Sequence, residues 1–242
     1  MPIGDEIINA TVVEMQVNGA LWLAYPSTRI PQPGQYLYSW SPADSSAPLP
    51  AVLFPGGLEW LADPQPEEQA GGQIYLHCAP GAPQSWGIGT PLKLRGPLGR
   101  GFDLPGKVQN LALVSLGGSA ERLLPLIPPV LDRNGAVALF SDQALPQLPM
   151  AVEAYPLGAI AELLDWPDYF VLEMPVERLA GLRDLLELAA HERLPAPAQA
   201  LVDLPMPCGS LGDCGACTVY GRYSSFLACE DGPVFDLERL DW

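Results

Sequence analysis

The chain has 242 residues, 48% of them hydrophobic, and carries 28 acidic against 12 basic side chains for a formal net charge of −16. This length holds one large domain or two modest ones with a small tail module, and the apolar fraction is enough for packed cores. So much negative charge repels nucleic acid and anionic membrane surfaces, and the best apolar run, 111–116, falls short of the roughly 18 residues that cross a bilayer, so neither is an expected partner.

The opening MPIGDEIINA lacks the basic and apolar regions of a secretory signal, which points to a soluble cytoplasmic protein with reduced thiols. From residue 7 to 102 the pattern is strand-like. Short β-rich runs at 8–15, 21–25, 35–40, 51–54, 73–77 and 91–95 are separated by turns such as Gln32-Pro33-Gly34 and Pro55-Gly56-Gly57. This spacing predicts an antiparallel β-barrel. His77 and Cys78 sit together on one of its strands, and His191 lies near a later helix end; neither histidine has a sequence-local partner.

After Pro105 the character changes. Asn110-Leu111-Ala112-Leu113-Val114-Ser115-Leu116 reads as a buried strand that ends in Gly117-Gly118, followed by a helical pattern over 119–130 and a strand over 136–140, which together make a βαβ unit. A strand over 169–173 and a helix over 176–193, with leucines near a 3.6-residue period, lead to the proline-rich linker Leu194-Pro195-Ala196-Pro197. The predicted fold class is α+β multidomain: an antiparallel β-barrel at 1–104, an α/β Rossmann-like unit at 105–200 and a small C-terminal module at 201–242.

Four of the five cysteines fall in that module, within PMPCGSLGDCGACTVYGRYSSFLACEDGPVF: Cys208, Cys214, Cys217 and Cys229. Five residues separate the first two, two the next pair, and eleven the last. An iron-sulfur centre needs thiolates from two directions, and here one tight loop supplies three and a later segment the fourth. Gly209, Gly212 and Gly215 let such a loop fold with N–H groups facing the cofactor, and a side chain larger than Ala216 would crowd it. Structural zinc sites usually pair two C-x2-C or Cys/His knuckles, and only one is present, so the spacing favours iron-sulfur over zinc.

Cys229-Glu230-Asp231-Gly232-Pro233-Val234-Phe235, after a glycine-rich three-cysteine loop, resembles the C-terminus of the dihydroorotate dehydrogenase electron-transfer subunits, iron-sulfur flavoproteins of the ferredoxin reductase superfamily. Gln32-Pro33-Gly34-Gln35-Tyr36 and Leu94-Arg95-Gly96-Pro97-Leu98-Gly99-Arg100-Gly101-Phe102 are similar to that family's barrel stretches. The resemblance implies a ferredoxin reductase-type central domain and a 2Fe-2S cluster on Cys208, Cys214, Cys217 and Cys229. The first interval is five residues where the family usually has four.

The family's nucleotide motifs are not matched. Its flavin strand carries an arginine for the FAD diphosphate, and the corresponding Pro48-Leu49-Pro50-Ala51-Val52-Leu53 has neither arginine nor hydroxyl, which removes a charge-assisted contact. Its second flavin motif would fall in 79–85, where the chain reads APGAPQS. Gly117-Gly118-Ser119-Ala120-Glu121 keeps two glycines of a dinucleotide turn but puts a carboxylate, Glu121, where phosphate would sit. Leu172-Glu173-Met174-Pro175 stands where superfamily relatives carry Cys-Gly-Pro. The reading is an electron-transfer subunit whose 2Fe-2S cluster relays electrons to or from a catalytic oxidoreductase subunit in a hetero-oligomer, without a normal NAD site. The alternatives are a complete FAD- and 2Fe-2S-dependent NAD(P)H oxidoreductase subunit and a zinc-stapled, non-redox interaction protein.

Overall fold

The computed structural model describes residues 7–46, 49–62, 73–143, 145 and 148–242. Pro48, part of the stretch matched to the flavin strand, and residues 1–6 of the opening lie outside them. The first seven strands are β1 (Ile8–Met15), β2 (Leu21–Pro26), β3 (Tyr36–Trp40), β4 (Ala51–Leu53), β5 (Leu61–Ala62), β6 (Gln73–Cys78) and β7 (Pro91–Leu98). They form one antiparallel sheet in the order β4-β3-β7-β1-β2-β6-β5. Alternate side chains turn inward, as a two-residue period requires, so that Ile8, Ala10 and Val12 meet Leu21, Leu23, Tyr25, Leu92 and Leu94 in a single core. Among the described residues the expected barrel is not closed: a bridge between Pro55 and Cys78 joins the β4 side of the curled sheet to β6, where a barrel needs a full ladder.

The second sheet holds β8 (Asn110–Ser115), β9 (Ala136–Ser141), β10 (Val152–Tyr155), β11 (Tyr169–Pro175) and β12 (Ala198–Asp203). They are parallel in the order β10-β9-β8-β11-β12. β8 and β11 are buried along nearly their whole length, which is why they read as unbroken apolar runs. β10 and β12 carry no such signal and were not anticipated.

The two expected helices are broken. Over 119–130 the chain makes two 3-10 turns and then only α1 (Ile127–Leu131), because Pro125, Pro128 and Pro129 lack the N–H groups a continuous helix would use. Over 176–193 a 3-10 turn leads into α2 (Leu182–Leu185), and Glu187 at φ 52° reverses the chain. The leucine periodicity still has a physical basis: Leu179, Leu182 and Leu186 are buried.

The C-terminal residues contain the hairpin β13 (Thr218–Tyr220) and β14 (Ser225–Leu227), the turn α3 (Ala228–Asp231), and β15 (Val234–Asp236). β15 pairs antiparallel with β12, placing Phe235 opposite Ala200 and Val234 opposite Leu201, so the second sheet takes strands from both sides of residue 200. Arg100 N–H donates to the Gly232 carbonyl at 2.6 Å and Arg100 bridges Pro233, tying the same segment to the first sheet. Two glycines make this approach possible. A Cβ on Gly34 (φ +87°) would lie 2.7 Å from Val234 Cγ2, and one on Gly99 would lie 2.6 Å from the Gly232 carbonyl oxygen. Phe235 is fully buried and faces Phe226 at 5.8 Å between ring centroids. Phe235→Ala is expected to lower stability by about 3–5 kcal/mol, measured as a reduced denaturation midpoint at unchanged slope.

Candidate metal centre

The cysteine loop rests on β3. Tyr38 Oη donates to the Pro207 carbonyl at 3.3 Å, Tyr36 Oη and Ser210 Oγ share a 2.5 Å hydrogen bond, and Gly209 lies against the Tyr38 ring. Tyrosine burial pushes the Tyr36 hydroxyl up to about 12, so it stays protonated as a donor or acceptor at neutral pH. Gly209, Ser210, Gly212 and Gly215 all have positive φ, which coils the backbone tightly around the thiols. Gly212 has a second constraint, since a Cβ there would fall 2.2 Å from Glu230 Oε1.

The four thiols stand as two pairs. Cys208 is hydrogen-bonded to Cys214, and backbone N–H groups of Leu211, Cys214 and Asp213 also point at its sulfur; led by Leu211, they bring the Cys208 thiol down to about 7. Ala216 N–H reaches Cys214 Sγ at 3.5 Å. In the other pair, Cys217 Sγ lies 3.3 Å from Cys229 Sγ. Burial, followed by the neighbouring Cys217, pushes the Cys229 thiol up to about 12, while the Gly212 N–H opposes the shift. The hairpin explains how eleven intervening residues return to the same place: β13 leaves from Cys217, β14 comes back, and Ala228 N–H donates to the Cys217 carbonyl at 2.9 Å. Cys217 and Cys229 are buried, Cys208 is partly covered and Cys214 is exposed. Among the described residues, no three His, Cys, Asp or Glu side chains converge to hold a single ion.

Cys78 lies elsewhere, fully buried on β6, where burial raises its thiol. His77 Nδ1–H donates to the Gly56 carbonyl at 2.6 Å and the ring packs on Trp22, the arrangement of a core histidine. His191 is exposed.

The turn after β8 is held by an internal carboxylate that sequence reading assigned to the wrong residue. Glu121 faces the first sheet and accepts from Asn18 Nδ2 at 3.0 Å. The carboxylate at the turn is Glu173, from the end of β11: its Oε1 accepts the Ser119 N–H at 3.1 Å and lies 3.4 Å from Arg122 Nη1, and its Oε2 accepts from Ser115 Oγ at 3.1 Å. Arg122 also reaches Asp203 at 2.6 Å and stacks over Phe54. A Cβ on Gly118 would lie 1.6 Å from Glu173 Oε1, so the second glycine serves to admit this side chain. Burial raises the Glu173 carboxyl, with Arg122 as the main opposing influence. No sequence-local signal could show this, because Glu173 and Ser119 meet only when β11 pairs with β8. Between the two sheets, a cleft of roughly 320 Å³ is lined, among the described residues, by Trp22, His77, Glu59 and Glu121 with Gln16, Gly57, Leu58 and Leu124.

Residues 205–241 match the family model for the iron-sulfur cluster binding domain of dihydroorotate dehydrogenase B. No curated protein matches in a sequence search. Among solved structures, the chain is similar to an NADH-dependent reduced ferredoxin-NADP oxidoreductase studied for flavin-based electron bifurcation, with TM-score 0.68 and 19% identity over 96% of this chain and 90% of that one. It is also similar to the ferredoxin reductase in carbazole 1,9a-dioxygenase, with TM-score 0.51 and 16% identity over 76% and 65% of the two chains. A ferredoxin-NADP+ reductase from Plasmodium falciparum in complex with 2'P-AMP gives TM-score 0.51 and 8% identity over 81% and 96%. The class is therefore a ferredoxin reductase fold carrying an iron-sulfur binding module. The likeness to the dihydroorotate dehydrogenase B model is confined to residues 205–241, and the solved structures share the fold of the whole chain.

The buried ion cluster makes a pH-dependent prediction. Arg122→Met leaves Glu173 buried without its cation and is expected to cost about 3 kcal/mol near neutral pH. A buried carboxyl with a raised pKa contributes stability below its unfolded pKa and loses it as pH rises through the folded value. Loss of Arg122 raises that folded value further, so the Tm deficit against the parent should be smallest in acid and grow between about pH 5 and 8.

Proposed function

We propose that Cys208, Cys214, Cys217 and Cys229 hold a 2Fe-2S cluster, one iron on Cys208 and Cys214 and the other on Cys217 and Cys229. In this reading the protein is an electron-transfer subunit that exchanges single electrons with a partner oxidoreductase. The observation that carries the reading is the grouping of four thiols into two adjacent pairs, three from one glycine-coiled loop and Cys229 brought back beside it by the hairpin. Such a cluster supplies one-electron storage when bound. The chain's own part is to present deprotonated sulfurs, and the N–H groups of Leu211, Asp213, Cys214 and Gly212 favour the negative charge that ligation requires. The exposed Cys214 side faces outward, where a partner can approach, and the buried Cys217 and Cys229 anchor the opposite side in the core.

Residues 1–104 and 105–200 act in this proposal as a docking scaffold and 201–242 as the redox module. Two observations favour electron delivery by a partner over a nicotinamide site: Glu173 takes the N–H of the dinucleotide-type turn, and the inter-sheet cleft offers carboxylates where a diphosphate needs cations.

Purified protein should contain about two iron and two acid-labile sulfide per chain, show a rhombic one-electron signal on reduction by electron paramagnetic resonance, release no flavin on denaturation and leave NADH unoxidised. Zinc without sulfide would overturn the cluster; released FAD together with NADH turnover would overturn the partner-fed reading while leaving the cluster standing. Gly212→Ala, strained at φ +74° and crowded by Glu230, should lower iron content at least twofold, roughly the effect of 0.5 kcal/mol or more on loop closure.

A further inference from the structure

Only 12 lysine and arginine residues occur in this chain of net charge −16, yet three of them, Arg183, Arg193 and Arg222, line one cleft of roughly 520 Å³. It opens between the segment after α2 and the tip of the β13–β14 hairpin. His191, Tyr223 and Trp242 complete its wall, and two carboxylates, Glu192 and Asp241, also border it.

The three arginines differ in what they do. Arg183 is structural: Nε donates to the main-chain oxygen of Trp242 at 2.9 Å, Nη1 to the carbonyls of Ala189 and Glu192 at 2.9 and 3.1 Å, and the guanidinium stacks on the Trp242 ring at 4.4 Å. Glu192 is likewise engaged, accepting the Ala189 N–H at 2.7 Å. The side chains of Arg193 and Arg222 are exposed and make no hydrogen bond or ion pair with any described residue. Free guanidiniums from two separate segments thus line one cavity on a molecule of strongly negative net charge. The planar guanidinium fork suits phosphate oxygens. Beside the cleft, the same two arginines and Trp242 border an apolar notch made by Leu194, Ala196 and Leu237 among others.

We propose that this cleft binds a phosphorylated small molecule, its phosphate held between Arg193 and Arg222 and its apolar or aromatic portion against the Tyr223 and Trp242 side. Because Arg222 sits in the turn of the hairpin that begins at Cys217 and returns to Cys229, an occupied cleft would pin the cysteine module to the 182–196 segment. The inference stands apart from what the cysteines hold.

Isothermal titration calorimetry of the purified full chain at low ionic strength, with ADP and with inorganic pyrophosphate as separate probes, tests it. The expected result is saturable binding of at least one probe, weakened about tenfold or more in the R193Q/R222Q double variant, with R100Q/K107Q, two exposed charges elsewhere, unchanged. ADP binding about tenfold tighter than pyrophosphate would identify a nucleotide whose base uses the apolar wall. Equal affinities would identify recognition of the phosphate group alone. No saturable binding of either probe, or binding that R193Q/R222Q leaves intact, would overturn the proposal.

Discussion

The site depends on the antiparallel addition of β15 to the edge strand β12. The hairpin brings Cys229 back to the loop, where Ala228 N–H holds the Cys217 carbonyl, and the strand pairing anchors the segment that follows. Val234 and Phe235 enter the core beside Ala200 and Leu201, and the Gly232 carbonyl takes the Arg100 N–H from the first sheet. One short segment is thereby held by both sheets at once. Burial of apolar side chains supplies the free energy, and the backbone hydrogen bonds fix the register.

The same logic governs the turn after β8. A strand that ends in a glycine turn leaves N–H groups unsatisfied and attracts negative charge. Here the charge comes from within the chain. Glu173 is delivered by the neighbouring strand β11, tolerated because Gly118 has no side chain, and compensated by Arg122, which in turn holds Asp203 on β12. A buried carboxylate of this kind is sustained only by paired charge and hydrogen bonds, so the three residues and the glycine form one unit. In the fold, the Ser119 N–H of this glycine turn is met from within the chain by Glu173.

The two ends of the cysteine module contrast in electrostatics. At the thiol end, oriented N–H groups favour negative sulfur. At the hairpin tip, Arg222 shares a cleft with Arg193 on a chain of net charge −16. The hairpin connects the two, with the cysteines at its base and the arginine at its turn.

Local chemistry was legible without the fold. The four cysteines, the three glycines between them, and the alternating strands of the first sheet depend on residue type and short-range spacing, and sequence alone established them as a pattern. The strand β8 was legible for the same reason, since a parallel strand buried on both faces must be apolar throughout. What depended on long-range contact was not. The helices expected over 119–130 and 176–193 followed apolar periodicity, but Pro125, Pro128, Pro129 and the turn at Glu187 broke them, while burial of the same leucines survived. The open edge of the first sheet among the described residues, the pairing of the thiols two by two, the role of Glu173 in place of Glu121, and the placing of Arg193 and Arg222 on one cleft were decided only by tertiary structure. Each joins residues far apart in the chain, and their proximity is set by strand pairing and packing, which no local spacing encodes.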